Sequence, residues 1–229
     1  PVHAPAAIQN GNYPVLVAFN RVTIRNNVIT NIAYDGVYLE LPLGADNGWN
    51  YVGNNLFANC WEGLQTYAVH SVITNNIFQS CNLGLSLHGT ITAAPAGFQP
   101  LIASNELTIA EWWPDEQLAD RMNAQGIWVN YRRANAAQLD VVGNVIHTPV
   151  GAPAGKTIRG LYVLTVDGNG KVNLINNTVQ GQGQCDVGVY VTACWSNGAV
   201  KVLGGTLAGI KGAGVRAATL DGVWGTGDA

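Results

Sequence analysis

Two carboxylates stand in matching places: Asp35 directly before Gly36, and Glu62 directly before Gly63. If the two glycines occupy the same position on neighbouring turns of the chain, the carboxylate backbones lie about 5 Å apart. Carboxyl groups that close cannot both ionise freely, so one pKa rises and the pair becomes an acid matched to a base or nucleophile. The competing expectation is a pair of solvated carboxylates at a bend. Glu40 follows five residues after Asp35, and His88 supplies a further acid or base of intermediate strength. There is no C-x-x-C motif, no Cys/His spacing suited to a metal and no acidic cluster of calcium-loop spacing. The sequence therefore predicts neither a metal nor a cofactor.

These residues share a site only if the glycines are in register, and an internal repeat supplies that register. Seven units can be cut from the chain: 22–40, 51–67, 71–88, 101–130, 139–164, 172–192 and 202–218. Each holds a short β-like run, an Asn, a second run, and a Gly followed by alternating apolar residues. One column is Asn27, Asn55, Asn76, Asn105, Asn144 and Asn177, with Gly205 in the seventh place; the other is Gly36, Gly63, Gly84, Gly126, Gly160, Gly188 and Gly214. The Asn spacings are 28, 21, 29, 39 and 33, so a turn needs about 20 residues and the surplus is loop. Asn tolerates the left-handed backbone of a sharp bend, stacked amides can hydrogen-bond along a column, and Gly supplies a second bend at little steric cost. After each Gly the pattern is that of a half-buried strand, with Val37 and Leu39 inward, Tyr38 and Glu40 outward.

The Asn and Gly columns together resemble the right-handed parallel β-helix of the pectin-lyase-like superfamily, over about residues 14–220. The expected fold is all-β: a single domain spanning 1–229, a right-handed parallel β-helix of about seven rungs with loop insertions on one face. Seven rungs make a rod of roughly 34 Å. The resemblance implies a menu of polysaccharide lyases, glycoside hydrolases, epimerases, tailspike depolymerases and non-catalytic adhesins. The short catalytic motifs of polygalacturonases and pectate lyases are absent from this chain, so no family catalytic residue transfers to it.

Alternation assigns what leaves the post-glycine sheet. The first outward column is Tyr38, Gln65, Ser86, Trp128, Tyr162, Tyr190 and Arg216; the second is Glu40, Tyr67, His88, Asn130, Leu164, Thr192 and Ala218. Aromatic rings with polar handles suit a partly wet contact, and sugar rings offer apolar faces with hydroxyl rims. Cross-rung ring stacking that only stabilises the sheet is the competing expectation. The loops at 41–50, 88–100, 130–138, 111–125 and 148–158 flank this sheet. The 111–125 insertion carries Trp112 and Trp113 ahead of a short helical pattern, and acts as a lid, as a groove wall or as an intersubunit contact. Arg132, Arg133 and Arg159 could bind an acidic sugar or form loop ion pairs.

Composition sets the outer bounds. Eleven basic and 14 acidic residues in 229 give a net charge of −3 without a basic block, which argues against nucleic acid. No run approaches the 18 apolar residues of a membrane-spanning helix. Gly (28) and Asn (24) are enriched, as a chain organised by its backbone requires. Cys60, Cys81 and Cys185 each sit three residues before a column Gly, which predicts an inward thiol ladder or, between Cys60 and Cys81, a disulfide. The chain starts at Pro1 with no signal peptide visible, 14–19 reads as strand, and no capping helix covers either end. A piece of a longer protein or assembly is expected.

Two readings follow. In the first, the chain binds an extracellular polysaccharide and, if it is an enzyme, cleaves it as a glycoside hydrolase or lyase. The catalytic candidates are then Asp35, Glu40, Glu62 and His88. Its binding candidates are Tyr38, Gln65, Tyr67, Trp128, Asn130, Tyr162, Tyr190, Trp112, Trp113, Arg132 and Arg133. In the second, it is a non-catalytic adhesin, stalk or virion tailspike segment. Either places it outside the cell, at a cell surface or on a virion, with polysaccharide as partner, no nucleic acid, no membrane span, and a homotrimer or larger assembly as its setting.

Overall fold

A computed structural model describes residues 8–10, 21–32, 35–39, 49–67, 70–90, 98–109, 124–132, 138–149, 151, 156–195 and 197–220. Strands dominate these residues. Seven of them precede the asparagine column: Arg21–Arg25, Trp49–Gly53, Ser71–Thr74, Leu101–Ala103, Gln138–Val142, Lys171–Ile175 and Ala199–Leu203. They pair in chain order as one parallel sheet. A second set follows the asparagines: Val28–Thr30, Leu56–Ala58, Ile77–Cys81, Glu106–Ile109 and Val145–His147. A third set carries the column glycines: Asp35–Leu39, Glu62–Thr66, Leu83–Thr90, Ala124–Arg132 and Ile158–Val166, with Ile8–Asn10 pairing ahead of Asp35–Leu39. The long strands Thr178–Cys194 and Thr206–Leu220 run through both of these sets and join them into one sheet of 13 strands.

All recorded pairings are parallel, each strand lying against its counterpart one repeat away. The chain is thus all-β, with parallel strands wound as a nearly closed, solenoid-like coil compatible with a parallel β-helix. Among the described residues there is no helix, and so none long and apolar enough to cross a membrane. Residues 14–19, read from sequence as strand, and most of the 111–125 insertion lie outside the described residues.

The corners differ from the expectation in one respect. The left-handed residue is not the column Asn but the residue before it: Asn26, Asn54, Asn75, Ser104 and Asn176 have φ between 51° and 59°, and Gly143 and Gly204 complete the set at 60°. The column asparagines serve hydrogen bonding instead. Asn55 donates both its backbone N–H (3.0 Å) and its Nδ2 (2.9 Å) to Asn76 Oδ1, and Asn76 repeats this toward Asn105, Asn105 toward Asn144 and Asn144 toward Asn177. Each Nδ2 also reaches a backbone carbonyl of the preceding turn, such as Val52 O from Asn76 (2.9 Å). The buried amides are therefore satisfied by the ladder itself.

The column glycines have ordinary backbone, and space selects them rather than a bend. A Cβ on Gly126 would lie 2.6 Å from Gly160 O and 2.7 Å from Ile146 Cγ2. Inside the coil, Val37, Leu64, Leu85, Ile127, Leu161 and Val189 stack from rung to rung with almost no exposure. Phe57 and Phe78 stack at 4.7 Å and 6°. Cys60, Cys81, Cys185 and Cys194 are buried free thiols, so of the two expectations for the first pair the thiol ladder holds.

Candidate functional site

The first outward column forms as read. Tyr38 lies opposite Gln65, Gln65 opposite Ser86, Ser86 opposite Trp128, Trp128 opposite Tyr162, Tyr162 opposite Tyr190, and Tyr190 opposite Arg216. The second column holds at His88 opposite Asn130 and then slips. Asn130 lies opposite Thr165, not Leu164, because strand Ile158–Val166 carries one extra residue there. Beside them runs a third column, of residues immediately before the glycines: Asp35, Glu62, Leu83, Gln125 and Arg159. Two of its side chains reach sideways to the first column. Glu62 accepts a short hydrogen bond from the Ser86 hydroxyl one turn on, and the Arg159 guanidinium carbon sits 4.5 Å from the Tyr162 ring centre.

The rings form a continuous series along the coil. Tyr38 meets Tyr67 edge-on at 5.8 Å, Tyr67 stacks on His88 at 5.2 Å, and His88 meets Trp128 edge-on at 4.4 Å. Trp128 then stacks on Tyr162 at 6.0 Å and Tyr162 on Tyr190 at 5.5 Å. Tyr67 is 38% exposed while Tyr162 is 8% exposed; Tyr38, Gln65, Trp128, Asn130 and Tyr190 are half-buried.

The carboxylate pair is adjacent, as the spacing implied, but it is not solvated. Asp35 and Glu62 are register partners and each is 1% exposed. Burial pushes the Asp35 carboxyl up to about 7. Burial, and then the charge of Asp35, push Glu62 well above the usual carboxylate range, against the pull of the Ser86 hydrogen bond. Solvated bend carboxylates are thereby replaced by a buried pair that holds a proton near neutral pH. Ser86 and Gln125 join this neighbourhood without having been singled out; their place directly along the strand columns was the available signal.

Four buried polar atoms on this face have no hydrogen-bond partner among the described residues: Asp35 Oδ1, Gln125 Oε1, Trp128 Nε1 and Asn130 Oδ1. Buried polar groups are ordinarily paired, and the asparagine ladder at another corner of the same coil obeys that rule. His88 is 7% exposed and sits between Tyr67 and Trp128, in reach of this group. Glu40, Trp112, Trp113, Arg133 and the side chain of Arg132 lie outside the described residues. Among the described residues no three His, Cys, Asp or Glu side chains are placed to hold a metal ion. No family model, no curated protein and no solved structure matches the chain.

Proposed function

We propose that the chain is a right-handed parallel β-helix of about seven rungs, of the pectin-lyase-like type, whose post-glycine face binds an extended polysaccharide outside the cell, at a cell surface or on a virion. One observation carries this reading: polar atoms without a partner among the described residues gather among aromatic rings on this face. Hydroxyl-rich rings satisfy both chemistries at once. They offer hydroxyls to the polar edges of the half-buried Gln65, Trp128 and Asn130, and apolar C–H faces to the rings. A glycan array probed with the wild-type chain and with Asn130→Ala tests it. Binding to a defined set of glycans that Asn130→Ala weakens supports the proposal; an array without any bound glycan ends it.

Cleavage is a second step of the same proposal, favoured by the buried carboxylate pair. A protonated Glu62 and an ionised Asp35 have the acid and base forms that glycosidic bond cleavage uses. Release of reducing ends or of unsaturated fragments from a bound glycan, abolished in both Asp35→Asn and Glu62→Gln, would establish it. Turnover unchanged in both variants removes these residues from the role. The non-catalytic reading, a structural or adhesin segment, is favoured by a different observation: Tyr162 and Tyr190 spend their faces on each other and on Arg159, as a sheet-stabilising stack does.

A further inference from the structure

The third column changes sign along the coil. It begins with Asp35 and Glu62, passes Leu83 and Gln125, and reaches Arg159 three turns beyond Glu62, about 14 Å away at the usual strand spacing. Arg159 covers two rings at once, with its guanidinium carbon 4.5 Å from the Tyr162 centre and 4.9 Å from the Tyr190 centre. Arg216, exposed and one turn beyond Tyr190, lies 5.4 Å from the Tyr190 centre. Neither guanidinium has an ion pair or hydrogen bond among the described residues. The one acid in strands Ile158–Val166, Thr178–Cys194 and Thr206–Leu220 is Asp186, and it is already engaged. Its Oδ2 accepts from the Ile158 N–H at 2.8 Å and its Oδ1 faces Lys211 Nζ at 3.8 Å. Thr192 fixes the stack further by donating to the Tyr162 hydroxyl at 3.2 Å.

A guanidinium held against a ring keeps N–H donors for a ligand, and the contact restricts the side chain before any ligand arrives. Two such groups beside one tyrosine, with no carboxylate paired to them among the described residues, offer donors to a planar or tetrahedral anion. We infer that Arg159 and Arg216, held on Tyr162 and Tyr190, are an anion subsite for a carboxylate or sulfate substituent of the bound glycan. This rests on the reading of the face as a polysaccharide site, and it adds direction. The anionic unit seats at the Arg159 end, while the neutral, hydroxyl-bearing part of the chain runs back toward Trp128, Asn130 and Glu62. The two ends of the strip differ in charge, and this disfavours the reversed orientation, because a carboxylate or sulfate placed beside the ionised Asp35 would meet like charge and no guanidinium.

One array of neutral, carboxylated and sulfated glycans tests this with the full chain, Arg159→Ala, Arg159→Lys, Arg216→Ala and the control Lys201→Ala, whose residue lies on the pre-asparagine sheet. Circular dichroism melts select folded variants, and Arg216→Ala keeps the test open if Arg159→Ala unfolds, since Arg216 is exposed. The expected result is that acidic glycans dominate the bound set, that Arg159→Ala and Arg216→Ala each weaken them about tenfold, and that Arg159→Lys also weakens them because it loses the guanidinium. Carboxylated and sulfated arms show which substituent the subsite takes. Acidic glycans held equally by both Ala variants, or a bound set that is wholly neutral, overturn the anion subsite while leaving polysaccharide binding standing. An array with no bound glycan defeats that underlying reading as well.

Discussion

At the scale of single residues, the buried pair Asp35 and Glu62 controls a pH dependence whose sign is fixed. Both folded-state pKa values are raised, Asp35 to about 7 from 3.8. Between those values the folded chain binds more protons than the unfolded one, so stability is fully present below about pH 4 and is lost as pH rises toward and through 7. Three pK units correspond to a few kcal/mol at most. Thermal melts from pH 4 to pH 8 are therefore expected to fall for the wild type from this source. Asp35→Asn is expected to flatten that slope and to melt higher than the wild type at pH 8; an unchanged slope would show that the carboxyl ionises without cost in the fold. The sequence showed that these two acids are neighbours, because Gly36 and Gly63 mark the register. It could not show that they are buried, since that depends on what lies over the outside of the coil. Nor could it locate the slip at Asn130, which comes from a single extra residue in the facing strand.

At the scale of the element, the two columns have separate jobs, and each predicts its own lesion. Asn76 lies inside the ladder, donating to Asn105, Val52 and Thr74 and accepting from Asn55. Asn76→Ala removes the side-chain bonds, leaves its backbone N–H on Asn105, and strands the buried Asn55 backbone N–H, so a loss of about 3 kcal/mol is expected from urea unfolding. Among the described residues Asn27 ends the ladder and accepts from no neighbouring Asn, so Asn27→Ala is expected to cost clearly less. Gly126→Ala forces a Cβ against the Gly160 carbonyl and the Ile146 side chain, and a loss of about 2 kcal/mol or more is expected. Equal, small effects for all three would show that the rungs relax freely around each column. Both columns were legible in the sequence from type and spacing. Their physics was less so: a recurrent glycine signals a bend and a lack of room equally well, and a doubled Asn does not say which of the two takes the left-handed backbone.

At the scale of the whole molecule, the coil is a stack in which each turn contacts its neighbours, so its stability need not be uniform along its length. The inner residues of the first described turn are well covered, with Ile24 at 5% and Ile29 at 6% exposure. The last turn is different. Leu203 is 40% and Val215 50% exposed, Val202, Leu207 and Ile210 are half-buried, and Ala199–Leu203 and Thr206–Leu220 each have a partner strand on one side only among the described residues. Backbone N–H groups there have less apolar cover and one fewer neighbouring strand than those of Leu83–Thr90, which is paired on both sides. Native-state amide exchange is therefore expected to be fastest in Ala199–Leu203 and Thr206–Leu220 and slowest in Glu62–Thr66 and Leu83–Thr90, with Ile158–Val166 between. This gradient bears on function, because Arg216 lies in the fast-opening turn while Asp35 and Glu62 lie away from it. A ligand that spans the strip must bridge them, so a glycan bound through Arg216 should slow exchange in Thr206–Leu220 more than elsewhere. Uniform exchange along the coil, unchanged by such a glycan, would mean that the stack opens as one unit and that the Arg216 end takes no part in binding.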